Sequence, residues 1–124
     1  MKAKFFFYYV LPIIIYMGLI FYFSSQSIIY ADAALKEKGV FIGRWMLHII
    51  EYAILSLLLY RALIKTKFKK YNFALAVIIS VLYGLSDEIH QLFVLGRAFD
   101  VFDLIFDFIG AVLMQILIKI KEKL

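Results

Sequence analysis

Residues 5–23 read FFFYYVLPIIIYMGLIFYF, nineteen positions without a charge, and this stretch decides which solvent the chain folds in. At 1.5 Å rise per residue, an apolar helix of about this length crosses a hydrocarbon core. Pro12 lies mid-run, where it is expected to kink the helix and not to end it, because membrane helices tolerate proline better than soluble ones. The remaining composition agrees. The chain has 124 residues, is 65% hydrophobic and 19% aromatic, and has a mean hydropathy of +0.93, against about 45–50% apolar in an ordinary soluble domain. A soluble domain of this size buries only about two-thirds of its chain surface, so many of the 13 Phe and 9 Tyr would face water. One Pro, six Gly and few charges exclude disorder. The absence of cysteine excludes disulfides, thiolate metal sites and cysteine nucleophiles.

Lys2 and Lys4 before the apolar run, with Ala31-Asp32-Ala33 beyond it, raise the alternative of a secretory signal peptide. The run is longer than the usual 7 to 15 residues, roughly, and the small-residue site lies too far past it. Residues 24–44 (SSQSIIYADAALKEKGVFIGR) are polar by comparison and read as a loop, with a short interfacial helix around 31–38. Further apolar segments follow at about 45–64, 71–91 and 99–118, separated by a basic turn (Lys65, Lys67, Lys69, Lys70) and a short loop. The expected fold is a single all-α domain over 1–124, an integral membrane bundle of four helices.

Charge gives the orientation. Ten Lys and Arg lie on one side (Lys2, Lys4, the five from Arg61 to Lys70, and Lys119, Lys121, Lys123), and only Lys36, Lys38, Arg44 and Arg97 on the other. The positive-inside rule then puts both termini in the cytoplasm. Eight of the nine acids fall on the outer side and only Glu122 on the inner, so the formal charge of +5 divides into +9 inside and −4 outside. A net positive charge distributed this way points to membrane orientation and away from nucleic acid.

Each helix brings polar groups to that outer leaflet: Ser24, Ser25 and Gln26 close the first, His48 and Glu51 open the second, Asp87 to Gln91 end the third, and Asp100 to Asp107 begin the fourth. Glu51 lies about 9 Å and Asp107 about 12 Å below the start of its helix. At 3.6 residues per turn, Arg44, His48, Glu51 and Tyr52 share one face, Ser80, Tyr83, Gly84, Asp87 and Gln91 a second, and Asp100, Asp103 and Asp107 a third. A carboxylate facing lipid costs at least several kcal/mol, so these seams are expected to face one another or a water-filled cavity, with Gly84 and Gly110 permitting close backbone approach. Ser80, Tyr83 and Gln115 read as interhelical hydrogen-bonding groups, and Asp100 as an N-cap.

The same residues carry a resemblance. Ser24-Ser25-Gln26, His48-Ile49-Ile50-Glu51-Tyr52-Ala53-Ile54-Leu55, Tyr83-Gly84-Leu85-Ser86-Asp87-Glu88-Ile89-His90-Gln91-Leu92-Phe93 with Gly96-Arg97, and then Asp103, Asp107 and Gly110 resemble the VanZ-like family of membrane proteins across nearly the whole of residues 24–110. Departures are modest: Leu95 stands where proline is often found, Asp107 where asparagine is, and Met114 where a small residue is. The resemblance implies a small multi-pass protein of the bacterial cell membrane, in a family whose founding members are associated with low-level resistance to the glycopeptide teicoplanin.

Two classes of function follow. In the first, an outward-facing site binds or acts on a cell-envelope molecule, such as a lipid-linked wall precursor or a glycopeptide. His48, Glu51, Asp87, Glu88 and Asp107 are its catalytic candidates, and Ser25, Gln26, Tyr52, Gln91, Arg97 and Asp103 its ligand-binding candidates. His48 with Glu51 offers an acid–base pair, and Asp87, Glu88, Asp103 and Asp107 offer hard oxygen ligands for a divalent metal. Arg97 suits either an Asp partner or an anionic ligand. Whether the site is enzymatic or only binds is open at this stage. In the second class, the seam is a proton- or cation-binding path of a small transporter or accessory subunit. A purely structural seam would need near-complete neutralisation, and eight acids against four bases and two histidines leave an excess.

Overall fold

The computed structural model of the chain describes residues 2–25, 44–96 and 98–124. Four helices organise them: α1 (Lys2–Ser24), α2 (Arg44–Leu63), α3 (Asn72–Gln91) and α4 (Val101–Lys123). All four are long and apolar enough to cross a membrane, and no strand occurs among the described residues. The short interfacial helix expected around 31–38 lies outside the described residues.

Local chemistry sets the details. Pro12 has no N–H to donate one turn back, and its ring crowds the carbonyl of Tyr8. The helix answers with a widened turn of π type over Phe6–Val10, where the Leu11 N–H reaches back five residues to the Phe6 carbonyl. The expected kink is thus a local widening within one continuous helix. In α4 the helix passes the expected end at Ile118 and runs to Lys123, because the straight-chain Lys and Glu of the tail favour helix and no Gly or Pro stops it. Between α2 and α3 the basic turn closes with Thr66 Oγ1 donating to the Leu63 carbonyl (2.8 Å) and a 3-10 turn at Lys69–Tyr71. Between α3 and α4, Gly96 adopts φ 80, the left-handed region that favours glycine. Asp100 then caps α4, its carboxylate accepting from the Phe102 N–H at 2.9 Å.

The packing is inverted relative to a soluble bundle. Among the described residues ten buried side chains are polar or charged and eight are apolar, while Phe7, Tyr8, Ile15, Leu82 and Leu117 are exposed. Apolar groups facing outward and polar groups facing inward suit a lipid environment, in which helix association relies on close packing and interhelical hydrogen bonds. The apolar part of the core is Ile20, Tyr52, Leu55, Leu59 and Ala76, with Ile13, Tyr16, Met17 and Tyr83 packed against it.

α2 and α4 pair most closely, α4 also lies along α3, and α1 is peripheral. Only 6% of the most apolar window of α1 is buried, against 33% for α2. Glycine explains the α2–α4 pairing: a Cβ on Gly110 would stand 2.9 Å from the Cα and carbonyl carbon of Ile49 and nearer still to its oxygen, so only hydrogen fits there. One to two turns further along, Ser56 Oγ donates to the Ala111 carbonyl (3.0 Å), and Gln115 Nε2 donates to Ser56 Oγ (2.7 Å) and the Ser56 carbonyl (3.1 Å). α1 is attached through tyrosines: Tyr16 OH donates to the Glu51 carbonyl (2.8 Å) and Tyr83 OH to the Met17 carbonyl (2.5 Å). At the basic end Tyr60 OH donates to Glu122, Arg61 lies over the Tyr9 ring and Lys119 over Phe73.

Candidate functional site

The close approach of Gly110 to Ile49 aligns the residues just above it on both helices. Asp107 stands one turn before Gly110, and His48 precedes Ile49, so the two meet across α2 and α4. His48 Nδ1 lies 2.7 Å from Asp107 Oδ1, and His48 Nε2 lies 3.5 Å from Asp103 Oδ2. Asp103 and Asp107 are one helical turn apart and bracket the imidazole ring. The ring turns toward the two α4 carboxylates, and the backbone carbonyl of the half-buried Glu51 accepts from Tyr16 OH.

α3 closes the other side. Gly84 faces Asp107, and a Cβ there would sit 2.7 Å from Asp107 Oδ2. The missing side chain leaves room for that oxygen between α3 and α4. One turn further along α3, Glu88 is fully buried, and its Oε2 accepts from the Asp100 N–H at 3.0 Å. One side of the Glu88 carboxylate is thereby fixed to the start of α4. Asp87 and Gln91 are buried on the same face, and Tyr52 on α2 is fully buried beneath the cluster.

The α1 edge completes the polar end. Gln91 Nε2 donates to Ser24 Oγ (3.1 Å), Ser25 Oγ donates to the Phe21 carbonyl (2.8 Å) and lies 3.5 Å from His90 Nε2, and the His90 ring stacks on Phe21 with centroids 4.2 Å apart. Ser24 belongs to this end together with the expected Ser25. Both are among the polar residues expected to close the first helix. Of the expected site residues, His48, Asp87, Glu88, Gln91, Asp103, Asp107 and Tyr52 are buried and gathered at one end of the bundle, with Ser25 at its edge. Gln26 and Arg97 lie outside the described residues.

His48, Glu88 and Asp107 each present a ligating atom within 4.8 Å of the others, and Asp87 and Asp103 are not in that group. Several buried atoms at this end have no hydrogen-bond partner among the described residues: Glu88 Oε1, Asp107 Oδ2, Tyr52 OH and Gln91 Oε1. Each such atom costs about 1–3 kcal/mol when left unmatched. Of the groups read as packing devices, Tyr83 and Gln115 have their interhelical bonds, whereas Ser80 Oγ has no partner among the described residues.

The VanZ/LLP1 family model matches residues 6–122, nearly the whole chain. No curated protein and no solved structure gives a significant match.

Proposed function

We propose, for a chain that belongs to the VanZ/LLP1 family, that the polar end of the bundle faces outward from a bacterial cell membrane and binds or acts on a cell-envelope molecule. The carrying observation is the buried cluster of His48, Asp107, Glu88 and Asp103, whose carboxylates and imidazole sit beside buried polar atoms that have no partner among the described residues. A bundle held together by a saturated polar network would have no such atoms. The Lys and Arg asymmetry supports the outward orientation.

A site is favoured over a path across the membrane. Below the cluster, the buried polar side chains among the described residues are Ser56, Ser80 and Gln115, none of which is ionisable. Ser56 and Gln115 moreover satisfy each other. The ligand class the site fits is a polar headgroup that brings hydrogen-bond donors or a bound cation to the carboxylates, as in a lipid-linked wall precursor. The expectation of a link to teicoplanin resistance rests on the family resemblance alone.

The test is teicoplanin susceptibility of a null host carrying the wild-type chain or its Glu51→Gln, Asp87→Asn, Glu88→Gln or Asp107→Asn variant, each checked for membrane expression. Glu88→Gln and Asp107→Asn are expected to fall to the level of the null host. Full activity of both variants would overturn the proposal.

A further inference from the structure

The buried side of the cluster has the form of a cation site. The Glu88 and Asp107 carboxylates are each half engaged. Glu88 Oε2 accepts from the Asp100 N–H, and Asp107 Oδ1 is held by His48 Nδ1, while Glu88 Oε1 and Asp107 Oδ2 have no partner among the described residues. Both side chains are 0% exposed. In Glu88 one oxygen is held by a backbone donor while the other has no partner among the described residues, as ligating carboxylates are oriented around metals, and His48 Nδ1 and Asp107 Oδ1 are adjacent donor atoms whose hydrogen bond a bound ion would replace. The three residues present ligating atoms within 4.8 Å of one another. Ligands at about 2.0–2.2 Å from a common ion are themselves separated by about 3 to 4.4 Å, so the spacing accepts an ion with little adjustment. Both ring nitrogens of His48 face carboxylate oxygens, at 2.7 and 3.5 Å.

We propose that His48, Glu88 and Asp107 bind one divalent transition-metal ion of the zinc or manganese class. An imidazole nitrogen with two carboxylate oxygens suits that class, whereas calcium takes six to eight oxygen ligands and magnesium near-octahedral oxygen. Three protein ligands leave a coordination position for water or for an anionic oxygen of a bound headgroup. The inference rests on the proposed function for the ion's role, but not for its presence, which is measured separately.

The experiment uses the full chain, purified in detergent with a non-histidine affinity tag, stripped with chelator and then titrated with zinc or manganese chloride, with calcium and magnesium chloride as contrasts. Elemental analysis and thermal unfolding are the readouts. The expected result is about one zinc or manganese per chain, a raised unfolding temperature, and at least 100-fold weaker binding by Glu88→Gln and Asp107→Asn, with Glu122→Gln at the opposite end binding as wild type. A wild-type chain that takes up less than a tenth of an equivalent of either metal overturns the proposal even if the variants do not fold. Occupancy unchanged in both variants overturns it as well. If no metal binds but the susceptibility variants lose function, this inference fails and the proposed function stands; if metal binds but those variants keep function, the ion is structural and the proposed function fails.

Discussion

Replacing Gly110 by alanine puts one methyl group where the α2 backbone already lies. The new Cβ would be 2.9 Å from the Ile49 Cα and carbonyl carbon, and carbon atoms rest at about 3.5–4.0 Å, so α2 and α4 must part by roughly 1 Å. The obstacle is backbone and cannot swing aside as a side chain would. Among the connections that cross this seam are three close ones: His48 to Asp107 at 2.7 Å, Ser56 to the Ala111 carbonyl at 3.0 Å, and Gln115 to Ser56 at 2.7 Å. Adding 1 Å takes all three beyond hydrogen-bond distance. Interhelical hydrogen bonds in membrane proteins contribute about 0.6 kcal/mol each on average, and forced overpacking costs about 1–3 kcal/mol. Gly110→Ala is therefore expected to destabilise by about 3–5 kcal/mol, read as equilibrium unfolding in mixed micelles. Gly18→Ala is the matched control, because a Cβ there meets nothing within 4 Å, and it is expected to be neutral or slightly stabilising. A Gly110→Ala protein within about 0.5 kcal/mol of wild type would falsify the account of how α2 and α4 are joined.

Other outcomes follow from single contacts. Gly84→Ala meets the end of the Asp107 side chain, at 2.7 Å from Oδ2; a carboxylate can turn aside, so stability should fall by less than about 1.5 kcal/mol while teicoplanin protection and metal uptake are lost. Loss of more stability than Gly110→Ala would contradict that reading. Tyr83→Phe removes the bond to the Met17 carbonyl and is expected to cost about 0.5–1.5 kcal/mol in the same unfolding assay, with the site's function retained.

Much of the fold is legible in the sequence because the membrane restricts it so strongly. The uncharged run at 5–23 needs no tertiary information to be a helix, and Lys and Arg placement marks the helix ends. Ends are less legible where no breaker stands: the apolar run stops at Ile118, yet the Lys and Glu of the tail continue α4 to Lys123. Depth along each helix is also legible, which is how His48, Glu88 and Asp107 are assigned to one end of the bundle from separate stretches of sequence. Which side chains touch is not. His48 and Glu51 share a face at helical spacing and invite pairing, but whether an imidazole looks along its own helix or across to a neighbour depends on how close that neighbour comes. Here Gly110 against Ile49 brings α4 near enough for Asp107 and Asp103 to take both ring nitrogens. The glycines flanking Asp107 carry that information, and it becomes readable only when the pairing of the helices is known.

An envelope-directed function requires that the polar end face outward, and the absence of cysteine makes this directly measurable with single-cysteine variants. Ala98→Cys lies at the exposed polar end beside the start of α4, and Lys67→Cys in the exposed basic turn. Intact cells are treated with a membrane-impermeant maleimide. The account predicts labelling of Ala98→Cys in intact cells and of Lys67→Cys only after permeabilisation; the reverse pattern would put the His48, Glu88 and Asp107 cluster at the cytoplasmic face and contradict it.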